Sequence, residues 1–250
     1  MLPTRPIAFS IAGFDPCAGA GLLADCKTFE ANQVYGIGIL TANTIQTEDS
    51  FTALHWEEGD TVRQQLEVLL QRYSPRVIKI GIVQSGEELL TYLELIQRYA
   101  PTAFVVWDPV LRSSTHFNLT SPIEENMLWA ILEQIDLITP NYPEIDLLVA
   151  GTAPPIAKAK YLSTACAVLL KGGHHPHLKG QDQLFTATAH HVFYPQQIYY
   201  TTKHGTGCIL SSAIASYVAL DYPLFSAIAK AKQYIEKTIG STSTLLAYHV

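Results

Sequence analysis

The segment 203–214 (KHGTGCILSSAI) combines a glycine turn with a thiol at the start of a predicted helix. The backbone N–H groups of Gly205 to Cys208 are expected to converge at the positive end of that helix, which is the arrangement of an anion hole for a phosphoryl group in transfer. Cys208 follows in the first turn, where the helix field is expected to lower the pKa of a thiol. The alternative for Cys208 is a buried structural cysteine, but the adjoining HGTG favours a functional thiol.

Two oxygen-bearing side chains follow a short predicted strand. Asn141 and Glu144 stand three positions apart in ITPNYPEIDLL (138–148). Oxygen ligands at this spacing suit a Mg²⁺ ion held through waters beside nucleotide phosphates. An N-cap asparagine with a glutamate three positions later produces the same pattern, and spacing alone favours that capping box.

Three further polar residues stand at the ends of predicted strands. Asp108 directly follows a strand in VVWDPV, where an aspartate either serves a site or forms a turn. Lys171 ends a strand in LLKGGH, where a cation can meet phosphate. Gln46 follows a long uncharged strand, and its amide either recognises the edge of a heterocycle or satisfies a loop.

A small-residue segment, 12–25 (AGFDPCAGAGLLAD), joins the first predicted strand to a helix. Its glycines, among them Gly13, either let the backbone approach a ligand or simply allow a tight connection. The segment matches neither GxGxxG nor GxxxxGK[ST], so neither a dinucleotide site nor a P-loop is indicated. GxSxG and HExxH are also absent, which excludes a nucleophile elbow and a zinc protease. Phosphoryl transfer is the chemistry that the remaining residues share.

Short apolar segments alternate with amphipathic ones along the chain. Strands are predicted over 6–12, 35–45, 76–83, 103–108, 136–139 and 166–171, with a hairpin around 183–194. Helices are predicted over 19–33, 60–73, 86–99, 122–134, 143–149, 154–163, 205–220 and 223–239. This order predicts an α/β fold with a doubly wound, mostly parallel central sheet and helices on both faces. No linker or repeat divides the chain, so residues 1–250 are expected to form one domain, with its ligand beyond the carboxyl ends of the strands.

Composition and charge exclude several classes of protein. Of the 250 residues, 48% are hydrophobic and only 15% are charged, which is too apolar for a disordered chain. The net charge of −6, without a basic cluster, argues against nucleic-acid and anionic-membrane binding. The stretch 204–220 is studded with Ser, Thr and Gly and is expected to be a buried helix and not a membrane span. The four cysteines form no CxxC pair, so a reducing cytoplasm fits better than a disulfide framework.

Together, these segments resemble the hydroxymethylpyrimidine/phosphomethylpyrimidine kinases of thiamine biosynthesis. The resemblance covers residues 7–239 and is carried by AGFDPCAGAGLLADCKTF, YGIGILTANTIQT, IKIGIV, WDPV, ITPNYPE, LLKGGH with Asp182 after it, and HGTGC. HGTGC and N-x-x-E occur across the wider ribokinase-like superfamily. AGAG…AD-x-KTF followed by TA-x-T-x-Q is closer to this one family.

The resemblance implies a ribokinase-like fold, a homodimer, and the use of ATP with Mg²⁺. The family phosphorylates the hydroxymethyl group of 4-amino-5-hydroxymethyl-2-methylpyrimidine and then converts this monophosphate to the diphosphate. Carried over to this chain, the pyrimidine site would be lined by Gly13, Asp25, Gln46, Ile82, Val110 and Cys208. Gln46 would hydrogen-bond the aminopyrimidine edge, and Cys208 would position the alcohol or take its proton.

The resemblance also implies a phosphate side for the site. Its residues would be Gly205, Thr206 and Gly207 for the anion hole, Asn141 and Glu144 for Mg²⁺, and Lys171 near ATP. Asp108, at the same sheet edge, is grouped with the nucleotide site. Lys203 stands where the family commonly has Thr, and a cation there is expected to help grip phosphate.

Further departures and two alternative functions accompany the resemblance. Ala18 replaces a usual Gly, Ile82 replaces a usual Met, and 112–119 (RSSTHFNL) lacks the Ser-Gly of the loop that covers the phosphates in the family. A pyridoxal or pyridoxine kinase is one alternative, since pyridoxine also carries a hydroxymethyl group on an aromatic ring; Gln46 favours the aminopyrimidine. A non-catalytic pyrimidine-sensing protein of the same fold is the other, and the retention of Cys208 argues against it.

Overall fold

The computed structural model describes residues 4–112, 119–174, 179–197 and 203–249. Its strands are β1 (Ile7–Phe14), β2 (Tyr35–Gln46), β3 (Phe51–Trp56), β4 (Val77–Ile80), β5 (Phe104–Trp107), β6 (Leu137–Ile138), β7 (Ala167–Leu170), β8 (Asp182–Phe185) and β9 (His190–Phe193). Its α-helices are α1 (Gly21–Ala31), α2 (Gly59–Arg72), α3 (Gly86–Tyr99), α4 (Glu125–Leu132), α5 (Tyr142–Leu148), α6 (Pro155–Leu162), α7 (Thr206–Ala219) and α8 (Leu224–Ile239). A short 3₁₀ helix covers Gly172–His174.

All of these strands belong to a single sheet, in the order β3-β2-β1-β4-β5-β6-β7-β8-β9. In this order, the strands from β2 through β1, β4, β5 and β6 to β7 run parallel. At the two sides, β3 pairs antiparallel with β2, β8 with β7, and β9 with β8. The strand order reverses at β1, because β2 lies on one side of it and β4 on the other. Such a reversal opens a crevice at the carboxyl ends of the strands, where open α/β sheets bind their ligands.

Helices cover both faces of the sheet. One core packs α2 to α6 against side chains such as Phe9 and Ile11 of β1, and the other packs α1, α7 and α8 against the alternate residues, such as Ala8. This follows from the two-residue period of a strand, which sends successive side chains to opposite faces. Strands buried on both faces need the near-continuous apolar runs that the sequence contains.

The predicted doubly wound α/β architecture is confirmed, with one strand missed. β3 pairs antiparallel with β2 at the edge of the sheet, and its side chains are only partly buried. An edge strand that buries little carries little hydrophobic pattern, which is why residues 51–56 gave no signal. Within the described part of the chain, no helix is both long and apolar enough to cross a membrane.

Candidate active site

Backbone touches backbone where the end of β1 meets the start of α7. Gly205, the residue before α7, has a φ of +73°, and a Cβ there would lie 1.9 Å from the carbonyl oxygen of Gly19. Gly21 has a φ of +58°, and a Cβ there would lie 2.3 Å from the carbonyl oxygen of Gly13. Both positions therefore require glycine. The loop after β1 is thereby fixed against the Gly205–Gly207 segment, hereafter the α7 turn.

A buried carboxylate shapes that loop. Asp15 accepts hydrogen bonds from His204 Nε2 at 2.9 Å and from the backbone N–H groups of Cys17, Gly19 and Ala20 at 2.9, 3.0 and 2.8 Å. Burial raises the pKa of Asp15, but these hydrogen bonds outweigh burial and hold the pKa below its ordinary value. The sequence analysis missed both Asp15 and His204, although an aspartate directly after a strand was a usable signal.

Residues predicted to line the substrate site lie at the ends of neighbouring strands. A Cβ on Gly13 would lie 2.4 Å from Ile82 Cδ1, so Ile82, just beyond β4, packs against the end of β1. Gln46 ends β2, and its carbonyl oxygen is 3.8 Å from Cys17 Sγ in the loop after β1. The Gln46 amide makes no hydrogen bond to any residue in the described ranges. Val110, partly exposed, lies just beyond β5.

Cys208 lies in the first turn of α7, where the backbone N–H of Gly21 lowers the pKa of its thiol. Burial raises the pKa of Cys208 to about 11; Lys79 lowers it, while Asp108 and Asp25 raise it. The expectation that the helix N-terminus lowers this pKa is therefore wrong, because burial outweighs the helix field. At neutral pH the side chain is a thiol.

One helical turn beyond Cys208, α7 is tied to a closed ion pair. The Asp25 carboxylate accepts hydrogen bonds from Lys79 Nζ at 2.7 and 2.8 Å, from Ser10 Oγ at 2.6 Å and from Ser212 Oγ at 2.6 Å. Both charged side chains are 0% exposed. Asp25 was predicted to line the substrate site, but it presents no surface to a ligand because its oxygens are committed to these partners. Lys79 was missed, although a lysine inside the apolar strand VIKI is an unusual signal.

A second buried ion pair contacts Ser211, the residue of α7 that comes before Ser212. Asp108 accepts hydrogen bonds from Lys171 Nζ at 2.6 Å, Thr139 Oγ1 at 3.0 Å and Ser211 Oγ at 3.1 Å. Burial raises the pKa of Asp108, but the Lys171 and Lys79 ammonium groups and the hydrogen bonds from Lys171 and Thr139 together outweigh burial and lower it overall. A Cβ on Gly207 would lie 3.2 Å from Lys171 Nζ, so this ammonium adjoins the α7 turn. The predicted lysine and the predicted anion hole are therefore brought together.

Asn141 and Glu144 form the capping box that their spacing suggested. Asn141 Oδ1 accepts the Glu144 N–H at 2.9 Å, and Glu144 Oε2 accepts the Asn141 N–H at 2.7 Å. Glu144 Oε2 also lies 3.7 Å from Lys171 Nζ. Burial raises the pKa of Glu144 to about 7, with Lys171 lowering it and Asp108 raising it. No cluster of three or more His, Cys, Asp or Glu side chains able to hold a metal occurs among the described residues.

Lys203 differs from its predicted role. Its ammonium donates to Thr242 O at 2.6 Å, to Thr242 Oγ1 at 2.8 Å and to the carbonyl of Thr244. The side chain is buried, and these contacts engage it with the C-terminal residues. The prediction that Lys203 grips phosphate is corrected, since its ammonium is already occupied.

A cavity of about 550 Å³ opens beyond the site, between β3 and the residues that follow β5. Leu54, Trp56, Gln84 and Leu111 are among its lining residues, and none of the predicted site residues lines it. The predicted phosphate-covering loop, 112–119, borders the cavity at Arg112 and Leu119; its residues 113–118 lie outside the described residues.

Comparisons with known proteins identify the family. The family model described as phosphomethylpyrimidine kinase matches residues 15–250. A hydroxymethylpyrimidine/phosphomethylpyrimidine kinase of Aquifex aeolicus is 33% identical over 249 residues, which is 96% of each chain. The crystal structure of a phosphomethylpyrimidine kinase from Clostridium difficile is 31% identical, covers 94% of this chain and 100% of that one, and superposes with a TM-score of 0.78.

A second solved structure is similar in fold. An ADP complex of pyridoxal kinase from Bacillus subtilis is 25% identical, covers 98% of this chain and 97% of that one, and has a TM-score of 0.83. The ribokinase-like fold that the motifs implied is therefore confirmed. The family match and the relative that is one-third identical along nearly its whole length show that the chain belongs to the phosphomethylpyrimidine kinase family.

Proposed function

We propose that this protein transfers the γ-phosphoryl group of ATP to the hydroxymethyl group of 4-amino-5-hydroxymethyl-2-methylpyrimidine, and then phosphorylates the monophosphate. The observation that carries the proposal is the junction between β1 and α7. At that junction the α7 turn offers backbone N–H groups beside the Lys171 ammonium, and Gln46, at the end of the neighbouring β2, has a side-chain amide with no partner among the described residues. An amide can read an aminopyrimidine edge, and paired N–H groups with a cation suit a phosphoryl group.

The reaction forms a bond between the alcohol oxygen and the γ-phosphorus, while the bond from that phosphorus to ADP breaks. Charge on the transferred oxygens is met by the N–H groups of the α7 turn and by Lys171. The transition state of phosphoryl transfer is loose, so the alcohol keeps its proton until late and then releases it to water. Cys208, a thiol with a pKa near 11, therefore acts by positioning the hydroxyl and not as a resting thiolate.

Asn141 and Glu144 would hold Mg²⁺ through waters. The donor set fits a hard cation, because Glu144 Oε1 accepts no hydrogen bond from a described residue and both side chains offer oxygen. When bound, Mg²⁺ would neutralise charge on the nucleotide phosphates. Glu144 keeps its place through the capping box, and Lys171 links it to the α7 turn.

The same proposal extends to a cytoplasmic homodimer. The described cysteines are all free thiols, which is in keeping with a reducing compartment. The homodimer rests on the family resemblance, and light scattering on the purified protein would test it.

Mg·ATP-dependent ADP release tests the function directly. Hydroxymethylpyrimidine, its monophosphate and pyridoxine are compared in parallel, and we expect turnover of both pyrimidines. A preference for pyridoxine would indicate a function in vitamin B6 metabolism. No ADP release with any of the three would favour a non-catalytic sensing protein. Gln46→Leu is expected to raise the KM for the aminopyrimidine about tenfold, the cost of one hydrogen bond, and to affect pyridoxine less. Gln64→Leu, on an exposed face of α2, is the matched control.

A further inference from the structure

The described chain ends in an irregular segment, residues 242–249, that contains neither helix nor strand; we call it the C-terminal strap. Thr242 Oγ1 and Thr244 Oγ1 donate hydrogen bonds to the carbonyl of Leu246 at 2.5 and 3.1 Å, so the strap has a defined local shape. Its far end is held by His249 Nδ1, 3.2 Å from Thr28 Oγ1 of α1. None of its residues is fully buried.

The strap contacts both residues that lead into the α7 turn. Lys203 donates to Thr242 O, Thr242 Oγ1 and Thr244 O through one ammonium, and the backbone N–H of His204 donates to Leu245 O at 2.9 Å. Three of these four bonds come from a charged group, and hydrogen bonds of that kind are the stronger ones. The strap therefore holds the chain immediately before Gly205.

The strap also closes on the loop after β1. A Cβ on Gly19 would lie 2.6 Å from His204 Cδ2 and 2.9 Å from Leu246 Cδ2, so both side chains pack on this glycine. His204 Nε2 bonds Asp15 from the same side. Gly205 has no side chain of its own with which to fix its position, and its backbone rests on Gly19.

We propose that the C-terminal strap sets the position of the α7 turn, with Lys203 and His204 as the positioning residues through which it acts. The proposal rests on phosphoryl transfer at that turn. A displacement of about 1 Å in a group that stabilises a transition state can cost on the order of a hundredfold in rate. A turn made of Gly-Thr-Gly depends on its flanking residues for such precision, and here the flanking residues bond the strap.

The experiment compares a chain ending at Ser241 with the full-length variants Lys203→Met and Lys203→Arg, and with the combination of truncation and Lys203→Met. Lys237→Met, which removes an exposed ammonium from α8, is the control. The kcat and the KM for ATP are measured at a temperature at which circular dichroism shows each variant folded. The alkylation rate of Cys208 by iodoacetamide, read by peptide mass spectrometry without substrate, reports the turn independently of turnover.

Truncation and Lys203→Met are each expected to lower kcat about tenfold or more, with the KM for ATP changed less than about threefold. Both should accelerate Cys208 alkylation, and Lys203→Arg should restore wild-type values. Since both changes break the same contact, their combination should be no worse than the more severe single change. If truncation fails to fold, Lys203→Met carries the test alone.

Three results would overturn the proposal. A raised KM for ATP with unchanged kcat in Lys203→Met would mean that Lys203 binds phosphate itself. Effects that multiply in the combined variant would mean that Lys203 acts independently of the strap. A truncated chain with wild-type kcat and wild-type alkylation of Cys208 would remove any role for the strap, with the kinase function intact. If the wild-type protein releases no ADP with any substrate, the proposed function fails, and alkylation of Cys208 alone decides the strap.

Discussion

The two buried ion pairs beside α7 use the same groups and differ in their surroundings. Lys79 and Asp25 are both 0% exposed, and two serine hydroxyls complete the hydrogen bonds of the carboxylate. Lys171 and Asp108 are nearly as buried, but the Lys171 ammonium also adjoins the α7 turn and lies 3.7 Å from Glu144. We call Lys79–Asp25 the closed pair, because it is fully buried, and Lys171–Asp108 the open pair, because its ammonium also adjoins other groups.

We expect this difference to separate a structural function from a chemical one. The closed pair joins β1, β4, α1 and α7, and because both of its charged side chains are 0% exposed it presents no surface to a ligand. The open pair shares one ammonium between two carboxylates beside the proposed phosphate site, so a phosphoryl group can compete for it. A buried ion pair is costly to break on one side because the remaining charge has no partner.

Removal of the Lys79 ammonium from the closed pair is expected to have the largest effect on stability. Lys79→Met leaves the Asp25 carboxylate buried with only its two serine donors. We expect the free energy of unfolding to fall by about 3–5 kcal/mol, measured by urea denaturation.

Lys158→Met is the matched control for that change. Lys158 is also buried and bonds Asp146 at 2.6 Å, but the Asp146 side chain is 52% exposed. Its carboxylate can return to water, so the cost should stay near 1 kcal/mol or below for loss of the pair. Equal losses in the two variants would show that the closed setting of Lys79 makes no difference.

Removal of the open ammonium is expected to act on catalysis. Lys171→Met withdraws a cation from beside the α7 turn and should lower kcat about 10²- to 10³-fold, the usual effect of losing one group that stabilises transition-state charge. Steady-state ADP release measures this, with Lys158→Met again as control. If Lys171→Met loses stability but keeps its kcat, the open pair is structural, like the closed one.

Glu144 lies beside the open pair and makes the stability of that region depend on pH. The folded state keeps the Glu144 proton up to about pH 7, whereas an ordinary glutamate releases it near 4.5, so the folded state binds more protons between these values. The stability contribution of Glu144 is therefore fully present below about pH 4.5 and is lost as the pH rises through 7, by up to about 3 kcal/mol.

Urea denaturation from pH 4.5 to 8, without Mg²⁺, measures this loss. Glu144→Gln retains an oxygen for the Asn141 N–H of the capping box but cannot ionise. The difference in unfolding free energy between wild type and variant should shift in favour of the variant as the pH rises across this window. A constant difference would place the Glu144 pKa at its ordinary value.

The fold was predictable wherever its signal was local. Apolar runs and helical periods located every described strand except β3, whose partial burial on both faces leaves only a weak alternation. Predicted ends were less accurate: the strand expected over 76–83 is Val77–Ile80, because the chain beyond it leaves the sheet to form the site.

The site was predictable to the same extent. The Gly205–Gly207 turn and the Asn141–Glu144 cap are each contained in a few consecutive residues, so the local sequence determines their geometry. Lys79 and Asp25 are 54 positions apart, and His204 and Asp15 are 189 apart. Pairings over such distances are created by the sheet order, which spacing within a motif does not encode. Lys203 was misassigned for this reason, since its partners lie 39 and 41 positions later.

The smallest effects are expected from substitution of two adjacent serines of α7, each of which contacts a different ion pair. Ser212 donates to Asp25 in the closed pair, whereas the one hydroxyl proton of Ser211 is shared between Asp108 of the open pair at 3.1 Å and Cys208 O at 3.0 Å. Ser→Ala removes one hydroxyl from the same helix at each position. Each change should cost about 1.5 kcal/mol of unfolding free energy, the lower range for a hydrogen bond to a charged group. Only Ser211→Ala should also lower kcat, because Asp108 orients the Lys171 ammonium beside the α7 turn. Urea denaturation and steady-state ADP release are run on both variants, and an equal fall in kcat would mean that the closed pair, too, positions the reacting groups.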